Sequence, residues 1–89
     1  MTIKEAVVNN KVGLHARPAT FFIQKSNDFK GDIWIEKGDR RANAKSLLGV
    51  LSLGVLNGET VRISADGVDE KLAVDTLIGL LTNGLRDCQ

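Results

Sequence analysis

From Ile3 to Val8 the chain is β-branched at one end with charges in the middle, the pattern of a short strand. Asn9-Asn10-Lys11 is polar and Gly13 interrupts regular structure. From Ala16 the period changes. Ala19, Phe22, Ile23 and Ser26, with Phe29 beyond, follow the i, i+3, i+4, i+7 spacing of a helix. Pro18 falls in its first turn, where a missing N–H costs little, and Gly31 closes the segment. Asp32 to Lys37 alternates as a strand. Lys37-Gly38-Asp39-Arg40 then predicts a turn and Arg41 to Ala44 a short return strand. Ser46 is placed to cap a helix of about two turns that starts at Leu47. Asn57-Gly58 marks a turn. Thr60 to Ala65 follows as a strand, with Val61, Ile63 and Ala65 inward and Arg62 and Ser64 outward. Asp66-Gly67 turns the chain. Asp69 is expected to cap a last helix, with Ala73, Leu77, Leu80 and Leu81 on one stripe and an end near Gly84.

The order is β-α-β-β-α-β-α, which predicts a two-layer α+β sandwich with the helices on one face of the sheet. Eighty-nine residues make one domain, 1–89, with a thin core and little room for an enclosed active site. Apolar residues are 43% and charged residues 26%, an ordinary globular balance that disfavours disorder. The net charge of +1 is a poor match to nucleic-acid binding. Cys88 alone can form neither an internal disulfide nor a zinc site, which fits a reducing compartment. The stretch from Met1 to Glu5 lacks the pattern of a signal peptide, and Ser46 to Gly58 is broken by glycines and too short to span a bilayer. A cytoplasmic protein with no membrane insertion is expected.

The chain has one histidine, His15, within Gly13-Leu14-His15-Ala16-Arg17-Pro18-Ala19. If the helix starts at Ala16, His15 is its N-cap. The first N–H groups of a helix lack intrahelical partners and carry the positive end of the macrodipole. That end disfavours imidazolium, so the ring stays mostly neutral near pH 7 and is a nucleophile. A phosphoryl group received there would meet the helix N–H groups and the Arg17 guanidinium. The bland alternative is a histidine that merely caps a helix. No second histidine or neighbouring cysteine completes a metal site.

Leu47, Leu48, Val50, Leu51 and Leu53 crowd a helix too short to bury them on one stripe. Val50 and Leu53 are the core candidates. Leu47, Leu48 and Leu51 are then left partly exposed, as a protein-docking patch or as the imperfect burial of a small domain. Phe21 lies on the flank of the first helix and fits either role. Ser46, taken alone, reads as an ordinary cap. Asp66, Asp69 and Glu70 read as turn and cap residues, and Trp34 as a sheet residue.

The segment Gly13 to Ala19 resembles the active-site signature of the histidine-containing phosphocarrier (HPr) family of the phosphoenolpyruvate:sugar phosphotransferase system. Asn43-Ala44-Lys45-Ser46-Leu47-Leu48-Gly49-Val50-Leu51-Ser52-Leu53-Gly54 resembles that family's regulatory serine segment. Spacing, length and element order agree over essentially the whole chain. The resemblance implies an open-faced β-sandwich, a four-stranded antiparallel sheet with three helices on one face. It implies that His15 is phosphorylated at Nδ1 by Enzyme I, from phosphoenolpyruvate, and passes the group to IIA domains of sugar permeases, with Arg17 stabilising the phosphate. Such a protein is a stoichiometric carrier, without a cofactor and without a substrate pocket of its own.

In one branch of the family the residue matching Ser46 is phosphorylated by an ATP-dependent kinase, and that form acts with a catabolite-control transcription factor. A Ser46 kinase/phosphorylase and such a factor are therefore further implied partners. The expected docking surface combines Thr20, Gln24 and Asn27 with Leu47, Leu48 and Leu51, and a monomer is expected. Two alternatives are a nitrogen-related paralogue and a mainly regulatory protein. Paralogues of the first kind depart from the Lys45-Ser46 segment, and relatives of the second kind lack the histidine.

Overall fold

The computed structural model describes residues 1–9 and 16–84. Its elements in chain order are β1 (Thr2–Val7), α1 (Ala16–Ser26), β2 (Asp32–Lys37), β3 (Arg40–Asn43), α2 (Leu47–Ser52), β4 (Thr60–Asp66) and α3 (Glu70–Gly79). A π-helical turn, Leu80–Gly84, extends α3. The strands form one antiparallel sheet in the order β1-β4-β2-β3. This is the open-faced α+β sandwich expected from the sequence. α3 packs on β1, β4 and β2, α2 packs on β3, and α1 touches both of the other helices.

The alternation of β2 and β4 builds the core. Ile33, Ile35, Val61, Ile63 and Ala65 are buried beneath Ala19, Phe22, Val50, Leu53, Ala73, Val74 and Leu77. Ser26 completes the buried stripe of α1. Its hydroxyl donates to Phe22 O at 2.9 Å, which satisfies a polar group that is fully covered. On α3 the stripe is Ala73, Val74, Leu77 and Leu81, whereas Leu80 is only half-buried. The last turn widens to π geometry.

Several boundaries and roles depart from expectation. β1 runs from Thr2 to Val7, one residue early. Val8 leaves the ladder yet is buried, its N–H donating to Glu59 O at 2.9 Å and its carbonyl accepting from Gly58 N at 2.8 Å. β3 starts at Arg40 because Lys37 pairs with Arg40 across a two-residue turn. Gly38 supplies the positive φ of 63° that such a turn needs at its first central position. β4 continues to Asp66, which pairs with Asp32. Ser64 does lie on the open face, but it is covered and not exposed. β4 is an inner strand, and Ile3 and Trp34 flank Ser64 in register on either side.

Asp69 is the N-cap of α3 by position but makes no side-chain cap bond. Its carboxylate instead accepts the N–H groups of Lys30 at 2.9 Å and Gly31 at 3.2 Å, latching the α1–β2 connection to the start of α3. The Lys30 N–H, with help from that of Gly31, holds the Asp69 carboxyl below its ordinary pKa. The approach is close enough to require glycine. A Cβ on Gly31 would stand 2.6 Å from the carbonyl oxygen of Asp66.

Candidate functional site

α1 opens at Ala16, the residue that follows His15 in the sequence. His15 itself lies outside the described residues. So does the Arg17 side chain, although the Arg17 backbone stands in the first turn. Pro18 occupies the same turn and is buried. No acidic residue sits there, so no side-chain carboxylate of that turn offsets the positive end of the helix. Lys25 in the last turn complements the other end.

Thr20, Gln24 and Asn27 follow one another at i, i+4 and i+7 and are all exposed, opposite the buried stripe of Ala19, Phe22 and Ser26. Together they mark a polar face along α1. Asn27 has a local role as well. Its amide donates to Ile23 O at 2.9 Å and to Lys45 O at 3.4 Å, bringing the end of α1 to the segment before α2.

Ser46 caps α2 as expected. Its backbone is extended, with φ −108° and ψ 114°, and its Oγ accepts the Gly49 N–H at 3.2 Å. Val50 and Leu53 are buried, as expected. Leu47 is 40% exposed and Leu48 80%, while Leu51 is half-buried against the core. The six residues of α2 thus divide into a core side and an apolar side turned to solvent. Ser46 follows Lys45, whose carbonyl accepts the Asn27 amide just past the C-terminal end of α1, so the start of α2 lies beside that end of the helix.

Three cations act here in ways the sequence reading missed. Lys45 Nζ donates to Phe29 O at 2.6 Å. α2 has no basic residue in its own last turn, and the β2–β3 hairpin supplies two. Arg40 donates to Ser52 O at 2.8 Å, and Lys37 Nζ to Leu53 O at 3.3 Å and Gly54 O at 2.9 Å. Lys37 also pairs with Glu59 at 3.0 Å. The Leu56 N–H and then Lys37 hold the Glu59 carboxyl below its usual pKa. The only sequence signal for these contacts is a helix without a basic C-terminus following a Lys-Gly-Asp-Arg turn.

A cavity of about 200 Å³ is lined by Glu5, Glu36, Gly38, Thr60, Val61 and Arg62, and none of the candidate site residues borders it. Among the described residues no cluster of His, Cys, Asp and Glu could hold a metal ion, and no helix is long and apolar enough to cross a membrane. Cys88 lies outside the described residues. What the described residues offer is an exposed apolar side of α2, a polar face on α1 and a helix start.

The family described as the PTS HPr component phosphorylation site matches residues 3–83. The HPr-like protein Crh of Halalkalibacterium halodurans is 41% identical over 81 residues, covering 91% of this chain and 96% of that protein. A crystal structure of HPr-C-His from Thermoanaerobacter tengcongensis matches with a TM-score of 0.92 at 40% identity, covering 100% of this chain and 99% of that one. Crh of Bacillus subtilis, a dimer with a swapped domain, matches with a TM-score of 0.76 at 38% identity, covering 94% of this chain and 97% of that one. A protein this similar can therefore be a dimer, against the monomer expected from the sequence. With the family signature spanning residues 3–83 and a solved HPr structure matching over the whole chain at a TM-score of 0.92, the chain belongs to the HPr family of phosphocarrier proteins.

Proposed function

We propose that the chain is a phosphoryl carrier of the sugar phosphotransferase system. The neutral His15 imidazole attacks phosphorus on phospho-Enzyme I through Nδ1. A P–N bond forms, the bond to the donor breaks, and the ring then yields the group to a IIA domain. The reading rests on one observation above all: α1 begins directly after His15, with Arg17 in a first turn that carries no carboxylate. Main-chain N–H groups and a guanidinium stabilise a dianion in such a place. Pro18 removes one donor, and Ala16 and Arg17 keep theirs. The phosphate is therefore held without being enclosed, as a group that must be passed on requires. In this reading the protein acts in the cytoplasm.

Ser46 is the regulatory position in this reading. A phosphate on its hydroxyl would bring about −1.5 to −2 charge to the start of α2, beside the exposed Leu47 and Leu48. The kinase and the catabolite-control factor implied by the family would act through that form. A mainly regulatory protein is the second reading, favoured by the 41% identity to an HPr-like protein Crh. His15 favours the carrier, and Lys45-Ser46 disfavours the nitrogen-related paralogue. The test is incubation with phosphoenolpyruvate and Enzyme I, followed by intact mass. One acid-labile, base-stable phosphoryl group is expected on the wild type and none on His15→Ala. Equal labelling of His15→Ala sinks the carrier reading.

A further inference from the structure

We propose that Lys37 and Arg40 are positioning residues for docking: from the β2–β3 hairpin they hold the C-terminal end of α2, and so set the angle at which Leu47 and Leu48 meet a partner protein. This inference rests on the reading of α2 as a docking element.

A helix of six residues is too short to be stable by itself, so its orientation comes from what holds it. The Ser46 hydroxyl satisfies the Gly49 N–H at one end, and Val50 and Leu53 anchor one side in the core. At the other end the last carbonyls point away from any partner within the helix and carry its negative pole. α2 has no basic side chain of its own there. Arg40 takes Ser52 O, and Lys37 takes Leu53 O and Gly54 O. Two cations from one tight hairpin thus grip three successive carbonyls.

Lys37 is further fixed by Glu59, whose Oε1 also accepts the Leu56 N–H at 2.7 Å. The grip therefore continues into the segment after α2. Arg41 is the internal comparison. It carries the same charge on the same hairpin, but its guanidinium lies 4.5 Å from the centre of the Trp34 ring and makes no such contact with α2.

The experiment measures steady-state phosphorylation of the chain by Enzyme I, together with amide hydrogen exchange of α2. Lys37→Met and Arg40→Met should each raise KM about fivefold and leave kcat unchanged, because the histidine end of α1 is untouched. Exchange at Leu53 and Gly54 should quicken about tenfold while β4 keeps its protection. Arg40→Lys should recover most of the KM. Arg41→Met should leave KM at the wild-type value, and an equal rise there would overturn positioning in favour of a general charge effect. Unchanged exchange and KM in both hairpin variants would also overturn it. Leu48→Ala separates the two readings. If it raises KM while the hairpin variants do not, docking stands and positioning is wrong. If Leu48→Ala itself leaves KM unchanged, the docking reading fails, and this inference falls with it.

Discussion

Asn27 donates its side-chain amide to the carbonyl of Lys45 at 3.4 Å, and the Lys45 ammonium donates back across the same seam to Phe29 O at 2.6 Å. These two bonds join the end of α1 to the residue before Ser46. The relation between the helix that follows His15 and the helix that follows Ser46 is therefore built into the packing. Asn27 thus has a local role beside the partner contact expected of it.

Asn27→Ala removes a 2.9 Å bond to Ile23 O and the longer one to Lys45 O, both at an exposed site. Neutral bonds of this kind contribute modestly, so a loss of about 0.5–1 kcal/mol is expected in urea denaturation. An unchanged midpoint would mean that the seam is held by Lys45 and apolar packing alone.

Gly31 and Gly67 meet backbone to backbone where the α1–β2 and β4–α3 connections cross. Gly31→Ala would place its Cβ 2.6 Å from Asp66 O and 3.1 Å from Gly67 Cα. Main chain cannot swing aside as a flexible side chain can. The expected cost is about 1–3 kcal/mol, read from chemical denaturation. A melt within a degree or so of wild type, worth only tenths of a kcal/mol, would show that the two connections separate at little cost.

The Asp69 latch predicts a pH dependence. Its folded pKa is lowered, chiefly by the Lys30 N–H and also by that of Gly31. The unfolded state therefore binds its proton at higher pH than the folded state does. The stabilisation is present above the ordinary carboxyl value of about 3.9, and is lost as pH falls from there through the folded pKa. Glu70 is lowered too, first by the Thr2 hydroxyl and then by the N-terminal amine, and acts in the same direction. Asp69→Asn should melt below wild type at neutral pH, with the gap closing as pH falls below about 4. A gap that stays constant into that range would mean that the carboxylate charge is not what holds the latch.

The sheet and helices were legible because their signal is local. Alternation in Asp32 to Lys37, the Ala19–Phe22–Ser26 stripe and the serine before Leu47 each report a neighbour a few residues away. What escaped depends on distant partners. Ser64 is covered because β1 and β2 flank β4, which alternation within β4 cannot reveal. Asp69 has the sequence context of a cap, yet its partners lie 38 and 39 residues away. Lys37 and Arg40 looked like turn residues because the carbonyls they hold lie at the end of a helix beyond the next strand and in the two residues after it. His15 and Arg17 were singled out by their motif alone, and the described geometry adds only the helix start that follows.

The final prediction separates charge from apolar contact on α2. Aspartate is as good an N-cap as serine, so Ser46→Asp should keep the fold while adding a negative charge beside the exposed Leu47 and Leu48. Ser46→Ala instead loses the bond to Gly49 and should cost about 0.5–2 kcal/mol of stability with little effect on docking. Leu48 is 80% exposed, so Leu48→Ala should change stability by less than about 0.5 kcal/mol. Val50→Ala, in the core, should cost on the order of 2 kcal/mol. The affinity for Enzyme I is then measured at low and high ionic strength. Screening shortens the reach of an exposed charge to about 10 Å at 0.1 M salt and about 3 Å at 1 M. The defect of Ser46→Asp should therefore shrink at high salt, and that of Leu48→Ala should persist. Wild-type affinity of Ser46→Asp at low salt would remove the electrostatic switch. Normal binding by a folded Leu48→Ala would remove α2 from the docking surface.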